Sequence, residues 1–193
     1  MYEFVEGKVI EKTPTYVVLE TGNVGYFIHI SLHTFTRLGD QSPCRLYIHQ
    51  IVREDALIFY GFFEKTERDV FRQLISVSGI GANTARLILS SLGPSDIEQA
   101  INEGNVAVLN SIKGIGAKTA QRIIVDLKGK ITTVSALEEI FSSQSNTIKE
   151  EALSALVNLG FTKGSVEKTI NQILKEQQDP GLEDLIKEAL ARL

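Results

Sequence analysis

The sequence predicts an α+β protein of several small domains, on three observations. The first 63 residues hold five short runs rich in Val, Ile, Tyr and Phe, side chains that suit a pleated, half-buried surface. From Glu64 onward the apolar spacing changes to helical intervals. One glycine-rich heptad is written twice, GIGANTA from Gly79 and GIGAKTA from Gly114, 35 residues apart.

The β runs are YEFVEGKVIEK (2–12), TYVVLE (15–20), GYFIHIS (25–31), CRLYIHQIV (44–52) and ALIFYGFF (56–63), with turn residues between them. Gly7 marks a bulge or sharp bend in the first run. Five strands in so short a stretch fit a small closed barrel, an OB-fold by its size, with an SH3-like barrel as the alternative. In EKTERDVFRQLISV, Val70, Phe71, Leu74, Ile75 and Val77 fall on one helical face. The first Gly-x-Gly follows, then ANTARLILSSLG, a helix stopped by Gly93-Pro94. SDIEQAINEG opens with Ser95 as N-cap and Glu98 completing a capping box. NVAVLNSI is a short helix, and AKTAQRIIVDLKGK follows the second Gly-x-Gly. Two copies of a helix–turn–helix unit are too few for a solenoid, so a pseudo-symmetric pair is expected.

Residues 131–146 end in SSQSNT and read as a flexible polar linker, with VSALEEIF as a stray helix inside it. IKEEALSALVNLGF, SVEKTINQILKEQQ and GLEDLIKEALARL then form three amphipathic helices, with Gly160 as a stop and Pro180-Gly181 separating the last two. The expected organisation is a barrel (1–63), a duplicated helical domain (64–130), the linker (131–146) and a compact, UBA-like three-helix bundle (147–193).

Composition narrows the function. The start lacks a signal-peptide pattern and no apolar run reaches membrane-spanning length, so no membrane is expected. A single cysteine, Cys44, makes no intrachain disulfide, and a cytoplasmic setting follows. Net charge is −4, but unevenly spread: five Lys/Arg face seven Asp/Glu in residues 1–63, nine face seven in 64–130, and six face ten in 131–193. A modestly basic centre suits DNA contact through placed groups and not through a bulk field.

Gly-x-Gly between helices permits a tight reversal, because glycine tolerates positive φ. It also opens backbone N–H groups at the start of the next helix, where the dipole favours an anion such as phosphate. The candidate phosphate-binding residues are Gly79, Gly81, Asn83 and Thr84 in the first copy, and Gly114, Gly116, Lys118, Thr119 and Arg122 in the second. Lys118 can meet a phosphate as a cation, where Asn83 offers only a hydrogen bond. Ile80 and Ile115 are expected to point inward. A dinucleotide fingerprint fails because Thr84 and Thr119 occupy its sixth position and a helix precedes. A P-loop fails because Ala117 stands before Lys118 and Ile112 takes the leading glycine's place.

The paired hairpin resembles the tandem helix–hairpin–helix of DNA-binding proteins, which read the backbone with little sequence preference. The whole layout, with FVEGKV, HQIVREDALIFYGF (49–62), VSGIGANTARLILS (77–90), IKGIGAKTAQRIIVDLK (112–128) and EEALSALVNLGF (150–161), resembles the RuvA family over essentially the full chain. That resemblance implies a non-catalytic, cofactor-free subunit that recognises four-way Holliday junctions in recombination and DNA repair. It implies a homotetramer, singly or as an octamer, that recruits the RuvB motor ATPase for branch migration, with the RuvC resolvase in the same assembly. By resemblance Glu54 and Asp55 form an acidic pin at the junction centre, and Leu156, Leu159, Phe161 and Leu190 match positions that dock the motor. In one place the chain departs from the family pattern: members often carry lysine where Asn83 stands, so the first hairpin is expected to lose about one salt-dependent contact.

Catalytic constellations are weak. His29, His33 and His49 with Cys44 give no zinc spacing; His29 and His33 fall in strand and turn, as packing or surface residues. No Gly-x-Ser-x-Gly elbow occurs, and no metal site is expected. A base-excision glycosylase or lyase, which also uses a helix–hairpin–helix, needs a catalytic Asp in a large helical body; a linker and a small bundle follow instead. A general partner-binding adaptor leaves the twin hairpins unused.

Overall fold

The computed structural model describes residues 1–131, 144–176 and 180–193. The chain divides into two compact units, Met1–Thr133 and Val134–Leu193. The VSALEEIF segment and most of the expected linker lie outside the described residues.

Five strands, β1 (Phe4–Lys12), β2 (Tyr16–Thr21), β3 (Val24–Ile30), β4 (Cys44–Val52) and β5 (Leu57–Phe62), close a barrel in the order β1-β2-β3-β5-β4. Alternate residues point inward, as the two-residue period of a strand requires: Val17 with Leu19, Ile28 with Ile30, and Leu46 with Ile48 are buried. All pairings are antiparallel except β3–β5, which is parallel. This is the OB-fold order, and it decides against the SH3-like alternative. A parallel pair demands a crossover, and the chain makes it through a short helix, α1 (Leu32–Leu38), and β4.

Sequence reading missed α1. Its N-cap is Ser31, whose Oγ accepts from the Thr34 N–H at 2.9 Å. His33 therefore sits on a helix and not, as expected, in a turn. Gly7 is not the bulge; the register shift falls between Val9 and Glu11. Gly7 instead makes room for β2, since a Cβ there would lie 2.3 Å from the Glu20 carbonyl oxygen.

Five further helices cover the barrel's β5 side: α2 (Lys65–Ser76), α3 (Ala82–Ser91), α4 (Pro94–Glu103), α5 (Val106–Asn110) and α6 (Ala117–Leu127). One core runs from the barrel wall beneath them, joining Tyr60 and Phe62 of β5 to Phe71, Leu74, Ile88, Ile97 and Ile123. The N-terminus of α4 corrects the capping expectation. Gly93 is the N-cap and Pro94 the first helical residue, where its fixed φ and missing N–H cost nothing. Asp96 Oδ2, not Glu98, accepts from the Gly93 N–H at 3.3 Å.

Polar clamps tie the helices to the barrel. Glu67 of α2 is fully buried; Thr34 Oγ1 donates to its Oε2 at 2.6 Å, and Ser31 Oγ donates to its Oε1. Arg68, also buried, pairs with Glu3 Oε1 at 2.6 Å. Arg37 pairs with Glu64 at the start of α2.

In the second unit, α7 (Gln144–Asn158), α8 (Lys163–Glu176) and α9 (Leu182–Arg192) pack around Ala152, Leu156, Val166, Ile170, Ile173, Leu185 and Ala189. The first helix thus reaches back into the segment read as linker. Gly160, at φ 103°, ends α7: its N–H donates to the Val157 carbonyl at 3.0 Å and the Phe161 N–H to the Leu156 carbonyl at 3.2 Å.

Burial pushes the Glu67 carboxyl from 4.5 up to about 7, against the lowering effect of the Ser31 and Thr34 hydroxyls. The folded state therefore holds a proton between those pH values that the unfolded chain has released, so stability falls as pH rises through the window. Wild type should lose about 3 kcal/mol relative to Glu67→Gln between pH 4.5 and 7 in urea unfolding. A constant difference between the two proteins across that range would contradict this account.

Candidate nucleic-acid interface

The heptad repeat folds as two copies of one backbone turn. In the first, α2 ends and the Ile80 N–H donates to the Val77 carbonyl at 3.0 Å; in the second, the Ile115 N–H donates to the Ile112 carbonyl at 3.0 Å. Gly79 at φ 92° and Gly114 at φ 89° take the left-handed conformation that the reversal needs. Gly81 and Gly116 follow as extended N-caps of α3 and α6. The first intrahelical bonds match as well, Ala85 to Gly81 and Ala120 to Gly116, both at 2.9 Å. Ile80 and Ile115 are buried, as expected, and anchor the turns in the helical core.

A glycine N-cap has no side chain to accept from the first-turn amides, and neither helix has a side-chain cap. The turns are exposed, and a Cβ at Gly79, Gly81 or Gly116 would meet nothing within 4 Å. Two helix starts thus present uncapped N–H donors at the surface, with the positive ends of their dipoles behind them. That arrangement suits a phosphate oxygen.

Around these turns the side chains differ. Lys118 and Arg122 of α6 are exposed, as is Lys113, which sequence reading passed over although it directly precedes Gly114. Among the described residues none of the three forms an ion pair. Asn83 is exposed and Thr84 and Thr119 are half-buried. The Tyr60 hydroxyl donates to Asn83 Oδ1 at 3.2 Å. Arg86, three residues on, turns to the barrel, where Nη1 donates to the Thr15 carbonyl at 2.9 Å and approaches His29 Nδ1. His29 packs on Tyr60 at 5.5 Å between ring centres.

Glu54 and Asp55 occupy the β4–β5 turn, closed by the Arg53 N–H donating to the Ala56 carbonyl at 2.8 Å. Both carboxylates are exposed, and so are the flanking Val52 and Leu57. Among the described residues neither acid forms an ion pair, and no cluster of three His, Cys, Asp or Glu side chains could hold a metal ion. No described helix is long and apolar enough to cross a membrane.

In the second unit, Leu159 and Leu190 are exposed at 62% and 42%. Phe161 is half-buried against the core, and Leu156 lies wholly inside it.

Family models match the chain in three places. Residues 1–61 match the RuvA N terminal domain, 71–130 the SAM-like Helix-hairpin-helix tandem, and 147–193 the RuvA C-terminal domain. Among curated relatives, a protein of Christiangramia forsetii is 51% identical and one of Flavobacterium psychrophilum 49% identical. One of Bacteroides thetaiotaomicron is 45% identical. Each alignment covers the whole of both chains, and each relative is named Holliday junction branch migration complex subunit RuvA.

Burial, and then the Arg86 charge, hold the His29 imidazole below its ordinary pKa of 6.5. In an NMR titration the His29 midpoint should lie below that value and rise on Arg86→Gln. An unmoved midpoint would separate His29 from the Arg86 contact.

Proposed function

The chain belongs to the RuvA family, and from that premise we propose that it binds four-way DNA junctions as a non-catalytic subunit of a branch-migration complex. The observation that carries this reading is the pair of glycine-capped helix starts, alike in backbone and open to solvent. In this reading Gly79, Gly81, Asn83 and Thr84 hold one strand's phosphates through amides and short polar groups. Gly114, Gly116, Lys118, Thr119 and Arg122 hold the other, with cations added. Such contacts fix position without reading bases, so binding follows DNA shape and charge.

Recognition of four arms requires several copies of the hairpin pair, and a homotetramer, alone or paired as an octamer, supplies them around the junction. Glu54 and Asp55 then stand at the crossing point, where carboxylates repel the converging phosphates in a poorly screened space. The second unit docks a RuvB-type motor ATPase in this reading. Leu159 and Leu190 provide the apolar contact surface, Phe161 flanks it, and buried Leu156 holds the helix that presents it. The same assembly admits a RuvC resolvase, and its work falls in recombination and DNA repair in the cytoplasm. The division into a barrel (1–63), paired hairpins (64–130), linker (131–146) and docking bundle (147–193) assigns one task to each folded part.

Gel shift in magnesium on four-way, duplex and abasic DNA tests the reading. Preferred four-way binding without cleavage supports it; equal affinity for duplex, or scission at abasic sites, overturns it. Lys118→Ala should weaken binding to all sequences alike and lower the salt slope by about one unit; an unchanged slope removes Lys118 from the phosphate contacts. Glu54→Gln with Asp55→Asn should keep or tighten junction binding while changing the rate of motor-driven migration. Collapse of junction affinity in that variant would contradict a repulsive pin.

A further inference from the structure

The two hairpins share their backbone but not their charge. Stepping 35 residues from the first to the second pairs Ser78 with Lys113, Asn83 with Lys118 and Leu87 with Arg122. All six are exposed, so the second copy shows a cation wherever the first shows a neutral side chain. The only basic residue of α3, Arg86, is committed to the Thr15 carbonyl of the barrel.

What the first hairpin has instead is a fixed carboxamide. Tyr60 is 3% exposed, and its ring is held by His29 at 5.5 Å and Phe71 at 5.2 Å. Its hydroxyl emerges from that core and donates to Asn83 Oδ1 at 3.2 Å. A phenol has one hydrogen to give, and an amide has one acceptor oxygen and two N–H donors. With Oδ1 held inward, Nδ2 is left to face solvent beside the uncapped amides of the α3 start. Without Tyr60, an exposed Asn side chain could equally turn its oxygen toward an arriving phosphate and repel it.

We infer that Tyr60 is the positioning residue for Asn83, and that the first hairpin grips a backbone phosphate through oriented neutral donors. The inference rests on the junction-binding reading above. It assigns the two hairpins different physics. The second releases counterions on binding and the first does not, since an amide neutralises no charge.

A double-mutant cycle tests this on the full-length protein, with four-way DNA binding measured as a function of salt. Asn83→Ala and Tyr60→Phe should each weaken binding by about three- to tenfold, the worth of one oriented hydrogen bond. The double variant should be no weaker than either single one, and all three should keep the wild-type salt slope. Asn83→Lys should steepen the slope by about one unit and make binding insensitive to Tyr60→Phe. A merely structural tyrosine would instead weaken the Asn83→Lys protein as well. Additive losses, a lowered slope in Asn83→Ala, or unchanged affinity in that variant overturns the inference. Should Tyr60→Phe fail to fold, the affinity and slope of Asn83→Ala decide alone. If wild type shows no preference for four-way DNA, the junction reading itself falls and takes this inference with it.

Discussion

The first turn of a helix carries N–H groups with no partner inside the helix, and something outside must accept from them. Most soluble helices solve this locally, with Ser, Thr, Asp or Asn at the N-cap. This chain does so where no ligand is needed: Ser31 caps α1 and Asn105 caps α5. At α3 and α6 it places glycine instead. The donors are left for an acceptor from outside, and the surrounding structure works to keep them aimed. Buried Ile80 and Ile115 pin each turn to a shared core, so the amides are presented by packing and not by a mobile loop.

The same core explains why barrel and hairpins form one compact unit. Tyr60 and Phe62 line the β5 wall and pack beneath α2, against Phe71. Polar clamps then set the register. Burying Glu67 costs desolvation, which is why its proton is held toward neutrality. Two hydroxyls that already accept from backbone N–H groups, Ser31 from Thr34 and Thr34 from Phe63, each aim their one hydrogen at its carboxylate. Such an arrangement is satisfied in only one docking of α2 on α1. Arg68 reaching Glu3 and Arg86 reaching Thr15 add two more fixed points. Hydrophobic contact alone would allow α2 and α3 to slide on the barrel; these contacts do not.

Local signals made much of this visible in the sequence. Strand alternation, the change of period at Glu64 and the repeated heptad located every strand and the helices α2 to α6, and Ile80 and Ile115 were readable as inward anchors. The misses have physical causes. Helix α1 is seven residues long and carries two threonines, so propensity argued against it; Ser31, the Leu32–Phe35–Leu38 spacing and Gly39 were the available clues. At α4, Ser95 and Glu98 matched a capping pattern, but Pro94 already fixed the first helical turn one step earlier. The Glu67 network joins residues 33 and 36 positions apart, and Tyr60 reaches Asn83 across 23. Contacts of that kind depend on how the barrel docks on the helices, which no local pattern encodes. Arg86 shows the same limit from the other side. In sequence it looks like one more DNA-facing cation, and in the fold it is a structural tie.

An acidic chain that contacts a polyanion must place its charges with care, and the first unit shows how. Its unpaired cations Lys113, Lys118 and Arg122 cluster about one hairpin, while Glu54 and Asp55 project from a separate strand turn. Other basic side chains are spent inside the protein: Arg37 on Glu64, Arg45 on Glu6, Arg68 on Glu3 and Arg86 on Thr15. Net charge therefore says little about where attraction is felt. Over distances beyond a Debye length of about 10 Å the total is screened, and what a phosphate meets is the nearest few groups. Duplication supplied two like backbones, and divergence of three exposed side chains gave one of them charge and left the other to hydrogen-bond geometry. Two grips built this way respond differently to salt, so one hold persists where the other weakens.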